Sequence, residues 1–285
     1  MSDTKIEWAD KVWNPTRGCS LVSPGCENCY AMKQAHRFSG PGQPYEGLTE
    51  LGPNGPRWNG EVWYSSMADS FYAPYRWRKP VMVFVDSMSD LFHETVPFPF
   101  IDDVLDIIER TPHTYLILTK RVDQALRYFE STGNRIEQWR KCGRRIWLVV
   151  SVENQKTADE RIPGLLRTPA AVRGVSYEPA LGPVDFTRMI GNKGDRSWSA
   201  LQNEGEEPTH WERSGAKVDW VICGGESGPR ARPMQEEWAR NVMLQCKEAD
   251  VPFFMKQGSK ANWPDFKNFE SFPKDLQVRE FPNAL

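Results

Sequence analysis

The sequence predicts an α/β protein whose core is a (β/α) barrel, partial or complete, and three observations support this class. Apolar runs rich in Val and Ile recur along the chain, a polar cluster follows each run, and helical patterns lie between them. Such runs suit strands that are buried on both faces of a parallel sheet. Most of the polar clusters are 25 to 34 residues apart, which is the length of one βα unit. The competing geometry is an open doubly wound sheet, in which only clusters near a switch point meet.

The first predicted element is a strand at 12–16 that leads into a cysteine-rich loop. A helix is predicted from Cys29 to Phe38, where apolar residues recur at helical spacing. Gly and Pro are frequent in 39–60, which predicts a long irregular segment. The apolar runs that predict the remaining strands are 81–85, 115–118, 146–150, 172–175, 220–223 and 253–255, and the helical patterns between them include 100–108 and 238–246.

The chain is expected to form a single domain over 1–285, with a Gly/Pro- and aromatic-rich excursion at 39–80 and a polar insertion at about 187–217. Its formal net charge of −2 excludes a globally basic nucleic-acid-binding protein but leaves room for a local basic face. No apolar run approaches the ~18 residues of a membrane span, and no signal-peptide pattern opens the chain. We therefore expect a cytoplasmic protein without a membrane partner, in which thiols stay reduced.

The most specific motif is a loop that holds Cys19, Cys26 and Cys29 in a C-x6-C-x2-C pattern. Clustered thiols in a reducing compartment favour a soft metal centre. On a [4Fe-4S] cluster, three thiolates leave one iron open to a further ligand. The alternative is a structural zinc ion with His36 or another residue as the fourth ligand, although only one C-x2-C hook is present. The dispersed cysteines, which are expected to be buried as small apolar side chains, are Cys142, Cys223 and Cys246.

A group of small polar and acidic side chains follows the strand predicted at 81–85. Asp86, Ser87 and Ser89 are suited to receive the ammonium or hydroxyl groups of a ligand. Capping of the next helix is the alternative role. It fits Ser89 or Asp90 better than Asp86, which directly ends the strand.

Charged side chains follow the later strands. Lys120 and Arg121 could clamp a carboxylate or phosphate, with solvated surface as the alternative. The carboxylates of Glu153 and Glu178 suit ribose hydroxyls or an ammonium group, with a salt bridge to a lysine as the alternative. The further candidates are Asn154, Glu226 in the Gly-rich segment 224–228, Arg230, Arg232 and Lys256. No nucleotide-binding loop motif accompanies them.

Seven segments of the chain carry a resemblance to a known family. They read WNPTRGCSLVSPGCENCYA, FVDSMSDLFHE, LTKR, VSVENQKTADERIPGLL, SYEPALGPV, DWVICGGESGPRARPM and PFFMKQ. Across about residues 8–257 the chain closely resembles the phage-borne three-cysteine-motif proteins. That family occurs in bacteriophages and bacterial chromosomes and is treated as radical-SAM-like.

The resemblance implies a barrel of radical SAM type in which the loop after the first strand holds a [4Fe-4S] cluster. The open iron would bind the amino and carboxylate groups of S-adenosylmethionine, and one electron from an external donor would cleave it to a 5′-deoxyadenosyl radical. By strand position, the resemblance assigns the cofactor contacts, namely Asp86, Ser87 and Ser89 for the methionine ammonium, Lys120 or Arg121 for its carboxylate, and Ser151, Glu153 or Asn154 for the ribose.

Taken together, these residues predict an iron–sulfur enzyme of radical SAM type that acts on an unidentified substrate. A nucleic acid (DNA or RNA) or a nucleotide is the candidate substrate, because the resemblance places the chain among phage proteins, the region 58–78 is rich in aromatic residues and ends in two arginines, and further cations follow at Arg230 and Arg232. The alternative is a non-enzymatic iron–sulfur or zinc protein that binds nucleic acid or a partner protein. A third hypothesis keeps the enzyme but uses the open iron as a Lewis acid without S-adenosylmethionine.

Overall fold

The computed structural model describes Thr4 and residues 6–131, 145–190, 197–202 and 216–283. The described residues form two compact units, the first within Met1–Leu148 and Pro169–Ala171 and the second within Val149–Thr168 and Val172–Leu285. Cys142 and much of the predicted insertion at 187–217 lie outside the described residues. The expectation of a single domain stays a prediction.

The strands in chain order are β1 (Lys11–Trp13), β2 (Thr16–Arg17), β3 (Thr49–Gly52), β4 (Gly55–Trp58), β5 (Trp63–Tyr64), β6 (Met82–Val85), β7 (Thr114–Thr119), β8 (Ile146–Val152), β9 (Val172–Tyr177), β10 (Met189–Ile190), β11 (Ser197–Trp198), β12 (Trp220–Gly224) and β13 (Phe253–Gln257). The α-helices of the described residues are α1 (Tyr30–His36), α2 (Phe98–Glu109), α3 (Val122–Glu130), α4 (Gln155–Leu166) and α5 (Glu236–Glu248). Short 3₁₀ segments include Pro24–Cys26 and Asp69–Arg76.

The main sheet contains seven strands in the order β1-β6-β7-β8-β9-β12-β13. Parallel pairing joins β1 to β6 and β6 to β7, and likewise β9 to β12 and β12 to β13. The strand order follows the chain order. A doubly wound sheet is defined by a reversal of the strand order, and this sheet contains none. The predicted α/β class with a parallel sheet is confirmed. All six apolar runs form strands, and β8, β9 and β12 are buried along their whole length.

In the first unit, the predicted strand at 12–16 is interrupted. β1 ends at Trp13, and β2 begins at Thr16 and pairs antiparallel with β5 instead of continuing beside β6. Pro15 explains the break, because a proline has no N–H to donate to a sheet. The interruption turns the chain away from the sheet edge and begins the cysteine loop.

The segment predicted to be irregular at 39–60 contains a regular hairpin, so that prediction was wrong for its second half. β3 and β4 pair antiparallel, with Gly52 opposite Gly55 and a two-residue turn between them. Glu50 and Arg57 stand opposite each other and form an exposed ion pair. Such cross-strand pairs and the glycines at the turn stabilise a short hairpin that a count of Gly and Pro does not reveal.

Helix α2 shows why the helical patterns succeeded. The residues that it buries recur at i, i+3 and i+4 spacing and include Phe100, Ile101, Val104, Leu105 and Ile108. In the second unit, α5 buries Ala239, Val242 and Cys246 in the same manner. Cys223 and Cys246 are fully buried, as predicted.

None of the helices in the described residues combines the length and the apolar character that crossing a membrane requires.

Candidate metal centre and polar sites

The cysteine loop of the first unit is anchored to the residues that follow β6. Because β1, β6 and β7 are parallel, their carboxyl ends lie at the same edge of the sheet. The N–H of Thr16 donates to Oδ1 of Asp86 at 3.1 Å, and the Thr16 hydroxyl donates to Oγ of Ser89 at 2.7 Å. Ser89 in turn donates to the carbonyl oxygen of Gly18 at 2.6 Å. These bonds fix the start of the loop.

Gly18 meets a steric demand that only glycine satisfies. Its φ of +91° lies in the left-handed region, and a Cβ at this position would overlap the carbonyl oxygen of Glu61. The backbone of the residue before Cys19 is therefore packed directly against the residues that lead into β5.

The three loop cysteines are free thiols of intermediate exposure. Cys19 and Cys29 pack against one apolar cluster, whose buried members are Ala31, Met32, Ala35, Leu48, Trp58 and Met88. Cys29 interacts electrostatically with Cys19 and with Cys26, so it links the other two sulfurs electrostatically. The loop thus gathers the three predicted ligands into one region of the first unit.

Burial raises the pKa of the Cys19 thiol to about 12 and also raises the pKa of Cys29. Opposing effects come from the Arg121 guanidinium at Cys19 and from the backbone amides of Ala31 and Met32 at Cys29. Cys29 directly precedes α1, so these amides belong to the amino end of a helix. Without a metal, the protein holds Cys19 and Cys29 as protonated thiols.

A soft metal fits the chemistry of this donor set, since three free thiols share one loop and at least one of them receives a hydrogen bond from a guanidinium. As the side chains stand in residues 6–131 and the other described ranges, no group of three or more His, Cys, Asp or Glu forms a set that could hold a metal ion. His36, the predicted alternative ligand for zinc, lies 3.0 Å from the hydroxyl of Thr49 through its Nδ1. The metal centre therefore stays a proposal.

Arg121 connects the loop to the carboxyl end of β7. Its Nη1 donates to Sγ of Cys19 at 3.6 Å and to Oδ2 of Asp90 at 3.1 Å. Its Nη2 donates to Oγ of Ser20 at 2.7 Å and to the Ser20 carbonyl oxygen at 3.1 Å. Its Nε donates to both oxygens of Glu94, at 3.0 and 3.1 Å. The side chain is buried in a polar network, so the alternative of a solvated surface residue is wrong, and the clamping of a ligand carboxylate or phosphate stays a prediction.

Asp90 is the central acceptor of that network. Its Oδ1 accepts from the Thr119 hydroxyl at 2.8 Å and from the N–H of Phe92 at 3.1 Å, and its Oδ2 also accepts from the N–H of Lys120 at 3.1 Å. The side chains of Asp90 and Arg121 form a buried ion pair. A buried carboxylate with this many donors is fully satisfied, so Asp90 is a structural group of the site.

His93 extends the network on the side of Ser20. Its Nε2 lies 2.9 Å from the Ser20 hydroxyl, and its Nδ1 lies 2.9 Å from the Thr95 hydroxyl. Burial and, to a lesser extent, the nearby Arg121 lower the pKa of His93. The imidazole is consequently neutral near pH 7.

Asp86 differs from Asp90 in a decisive way. It is buried at the end of β6 with a φ of +57°, and its Oδ2 has no hydrogen-bond partner among the described residues. Burial raises the pKa of Asp86 well above its usual value. A buried carboxylate oxygen without a donor is rare in native structures and calls for a ligand or a protonated state.

The other candidates in the first unit are Ser87, which directly follows Asp86, and Lys120, which directly follows β7. Ser87 donates to Oδ1 of Asn14 at 3.2 Å, and its carbonyl oxygen accepts from the Tyr30 hydroxyl at 2.8 Å. Burial raises the pKa of Cys29, and the positive charge of Lys120 offsets a part of that rise. The structure thus brings Asp86, Ser89, Arg121 and the cysteines together by direct contact or electrostatic interaction.

In the second unit, the candidates after β8 are engaged with the following helix. Asn154 is the N-cap of α4 and forms a capping box with Thr157. Arg161 donates from Nη1 to the Ser151 carbonyl oxygen at 2.6 Å and to Oε2 of Glu153 at 3.2 Å, and the carboxylate of Glu153 is fully buried. These contacts are the ones that hold a strand–helix junction together.

Glu178 pairs with Lys256, so the salt bridge expected as the alternative role is present. The Nζ of Lys256 donates to both Glu178 oxygens at 2.8 Å, and Nε2 of Gln257 donates to Oε1 at 3.1 Å. Gly224 lies against the Glu178 carboxyl group, where a Cβ would come within 3.2 Å of it. Gly224 therefore leaves the space that the Glu178 carboxyl group occupies in this ion pair.

Glu226 is paired inside its own loop. Its carboxylate accepts from the N–H of Arg232 at 2.7 Å and from the Arg232 Nε at 3.1 Å. A Cβ on Gly225 would come within 2.6 Å of the backbone of Ser259, which explains the second glycine of the segment. Arg230 lies two residues from Arg232 in the same loop and is exposed.

Sequence reasoning missed the partners of several candidates: Ser20, His93, Glu94, Arg161 and Gln257. The His-Glu pair that follows Asp90 by three residues was the available signal for two of them, because polar residues so close to a strand end share its edge of the sheet. Gln257 carried the same signal, since it ends β13 directly after the candidate Lys256. Arg161 carries no such signal, because a position inside a helix ordinarily predicts packing.

The fold and these sites define an α/β protein with a parallel sheet and, in its first unit, a thiol-bearing loop at the carboxyl ends of the strands. The chain belongs to the family described as "Protein of unknown function (DUF5131)", whose model matches residues 3–277. No curated protein and no solved structure matches the chain.

Proposed function

We propose that the protein is a [4Fe-4S] enzyme of radical SAM type and that its sheet belongs to a barrel of that type. The single observation that carries the proposal is the buried carboxylate of Asp86, whose Oδ2 lacks a hydrogen-bond donor among the described residues. Asp86 follows β6 at the same edge of the sheet as the three-thiol loop. A buried acceptor of this kind suits the ammonium group of an amino acid. The cluster, when bound by Cys19, Cys26 and Cys29, would supply one open iron and one electron to S-adenosylmethionine.

The chain's own residues have defined tasks in this proposal. Asp86 accepts hydrogen bonds from the methionine ammonium, and its burial strengthens the attraction between its carboxylate and this cation. Ser89 holds the Gly18 carbonyl and the Thr16 hydroxyl, which keeps the loop backbone in place. Lys120 supplies the positive charge for the carboxylate of the ligand. The strand order, which runs in chain order, is the order that a singly wound barrel requires.

The substrate class that we propose is a nucleic acid, DNA or RNA, bound through single-stranded bases. Arg17, which lies on β2, places its guanidinium 4.5 Å from the ring centroid of Trp63 on β5. The rings of Tyr72 and Tyr75 are exposed and stacked, with centroids 6.4 Å apart. Exposed aromatic rings next to cations are the elements with which proteins stack bases and contact phosphates. Arg232 is engaged with Glu226, so this aromatic segment supports the proposal better than the second unit does.

The test is anaerobic reconstitution of the whole chain with iron and sulfide. We expect about four irons per chain, an absorbance typical of a cubane cluster, and 5′-deoxyadenosine on reduction with S-adenosylmethionine. Cys19→Ser should abolish the bound iron, whereas the matched control Cys246→Ser, at a buried cysteine of the second unit, should retain it. A colourless protein that retains zinc would overturn the proposal in favour of a zinc or other non-enzymatic binding protein.

Two further measurements separate the remaining alternatives. Calorimetric titration with S-adenosylmethionine tests the Lewis-acid hypothesis, which predicts a reconstituted cluster that does not bind this ligand. Filter binding with single-stranded oligonucleotides tests the substrate class, and we expect the affinity to fall with salt and to weaken at least about tenfold in Trp63→Ala. Absence of binding at low salt would remove the nucleic acid from the proposal without affecting the cluster.

A further inference from the structure

We propose that Arg121 is a positioning residue for the metal centre, held so that it donates a hydrogen bond to the Cys19 sulfur, and that it does not bind a ligand carboxylate. The inference rests on the proposed iron–sulfur function and departs from the role that strand position assigns to this arginine. It adds a residue that adjusts the electronic state of a sulfur ligand.

The donor count of the guanidinium supports this assignment. An arginine side chain has five N–H groups and no acceptor. The partners of Arg121 also number five, namely Sγ of Cys19, Oδ2 of Asp90, the carboxylate of Glu94, and the carbonyl and hydroxyl oxygens of Ser20. A carboxylate ligand that approached Arg121 would have to displace one of these partners, and four of the five are polar groups that would lose a charge-assisted hydrogen bond.

Burial fixes the orientation of the fork. The Arg121 side chain is only 3% exposed and that of Asp90 only 6%, so neither can rotate into solvent. Asp90 is itself held by the Thr119 hydroxyl and by two backbone N–H groups. The remaining N–H of Nη1 is therefore directed at Cys19 by a rigid set of contacts.

The consequence for a bound cluster is electronic. Hydrogen bonds to sulfur ligands stabilise the reduced state of an iron–sulfur cluster and raise its reduction potential. Two carboxylates, Asp90 and Glu94, surround the single positive charge of Arg121. At Cys19, the directed N–H and the positive charge of Arg121 therefore oppose the negative charge of Asp90.

The experiment compares the reconstituted wild type with Arg121→Gln and Arg121→Lys. It measures bound iron, the midpoint potential of the cluster by EPR-monitored redox titration, and the affinity for S-adenosylmethionine. We expect the potential to fall in Arg121→Gln and to recover in part in Arg121→Lys, with the affinity for S-adenosylmethionine changed less than about twofold. The matched control is Arg173→Gln, which also removes a buried arginine that faces a carboxylate, and its potential should not move.

An unchanged potential with affinity for S-adenosylmethionine weakened tenfold or more would overturn the inference and make Arg121 the carboxylate ligand. If the Arg121 variants fail to fold, Ser20→Ala decides, because it removes one hydroxyl partner of Nη2 and leaves the charge in place. In Ser20→Ala, a fall in the midpoint potential that is smaller than the fall expected for Arg121→Gln supports the inference, and an unchanged potential overturns it. Wild-type protein that takes up no iron defeats the proposed function itself, which distinguishes the two failures.

Discussion

The N–H of Thr16 donates to Oδ1 of Asp86 at 3.1 Å, and this bond joins the start of the cysteine loop to the end of β6. The second oxygen of the same carboxylate has no partner among the described residues. Asp86 therefore holds the loop through Oδ1, whereas its Oδ2 is a hydrogen-bond acceptor without a donor among the described residues. A structural role alone would be served as well by asparagine, which also tolerates the left-handed φ of +57°.

Asp86→Asn should raise the stability of the metal-free protein at neutral pH. Burial raises the pKa of Asp86. A carboxyl group with a raised pKa contributes stability below the usual carboxyl pKa, and that contribution is lost as pH rises through the folded-state value. Asparagine removes this loss, so we expect the variant to be more stable than the wild type near pH 7, with the gain vanishing near pH 3. Urea unfolding over this pH range measures the difference.

The matched control is Asp90→Asn, for which we expect the opposite sign. Asp90 is paired with the buried Arg121, and removing one partner of a buried ion pair costs about 3–5 kcal/mol. The same Asp86→Asn variant should also lose affinity for S-adenosylmethionine. A variant that binds this ligand as tightly as the wild type would contradict the role proposed for Asp86.

Gly18→Ala should destabilise the first unit and reduce iron uptake. A non-glycine residue at a φ of +91° costs about 1–2 kcal/mol, and the overlap of the new Cβ with the Glu61 carbonyl adds to it. Gly42→Ala is the control, since Gly42 also has a positive φ, of +74°, but its Cβ would meet nothing within 4 Å. Thermal unfolding and iron content of both variants test this. If Gly18→Ala and Gly42→Ala lose the same amount of stability and of bound iron, the packing of Gly18 against Glu61 is unimportant.

Glu178→Gln should destabilise the second unit by about 1–3 kcal/mol, because it leaves the ammonium of Lys256 without its anionic partner in a largely buried setting. In the control Glu160→Gln, the broken pair with Lys156 spans 3.8 Å and is exposed, so the cost should stay below about 0.5 kcal/mol. Chemical denaturation of the two variants compares them directly. If Glu178→Gln is as mild as the control, the pair does not hold the Gly-rich segment in place.

Cys19 in the metal-free protein should react slowly with iodoacetamide near pH 8. Burial raises the pKa of its thiol to about 12, so very little thiolate is present at that pH. Unfolding in urea should accelerate the reaction at least about tenfold, because an exposed cysteine has a pKa of about 8.5. Peptide mass spectrometry follows the modification of Cys19 itself. Reaction of the folded protein at the rate of free cysteine would contradict this prediction.

The regular elements could be predicted from the sequence to within a few residues because burial on both sides dictates an apolar run. The strand predicted at 146–150 continues to Val152, since a polar Ser151 can also be buried in a strand that is covered on both faces. The hairpin of β3 and β4 was missed because its stability comes from pairing across the turn, as between Glu50 and Arg57, and not from a run of apolar residues.

The candidate site could be located from the sequence, but its internal pairing could not. Residues that follow parallel strands of one sheet share an edge of it, because parallel strands direct their carboxyl ends to the same side. Which charge pairs with which depends on distances that spacing does not encode. Arg121 donates a hydrogen bond to Cys19 and forms an ion pair with Asp90, and Glu178 forms an ion pair with Lys256. The sequence predicts ligand-binding roles for both Arg121 and Glu178.

The bonds that secure the cysteine loop join residues that are 70 to 73 positions apart in the chain. During synthesis the ribosome therefore releases all three sulfur ligands well before it releases Asp86 and Ser89, which anchor them. Insertion of the proposed inorganic centre into the natively anchored loop would consequently be a late event, one that waits until β6 has emerged and paired beside β1.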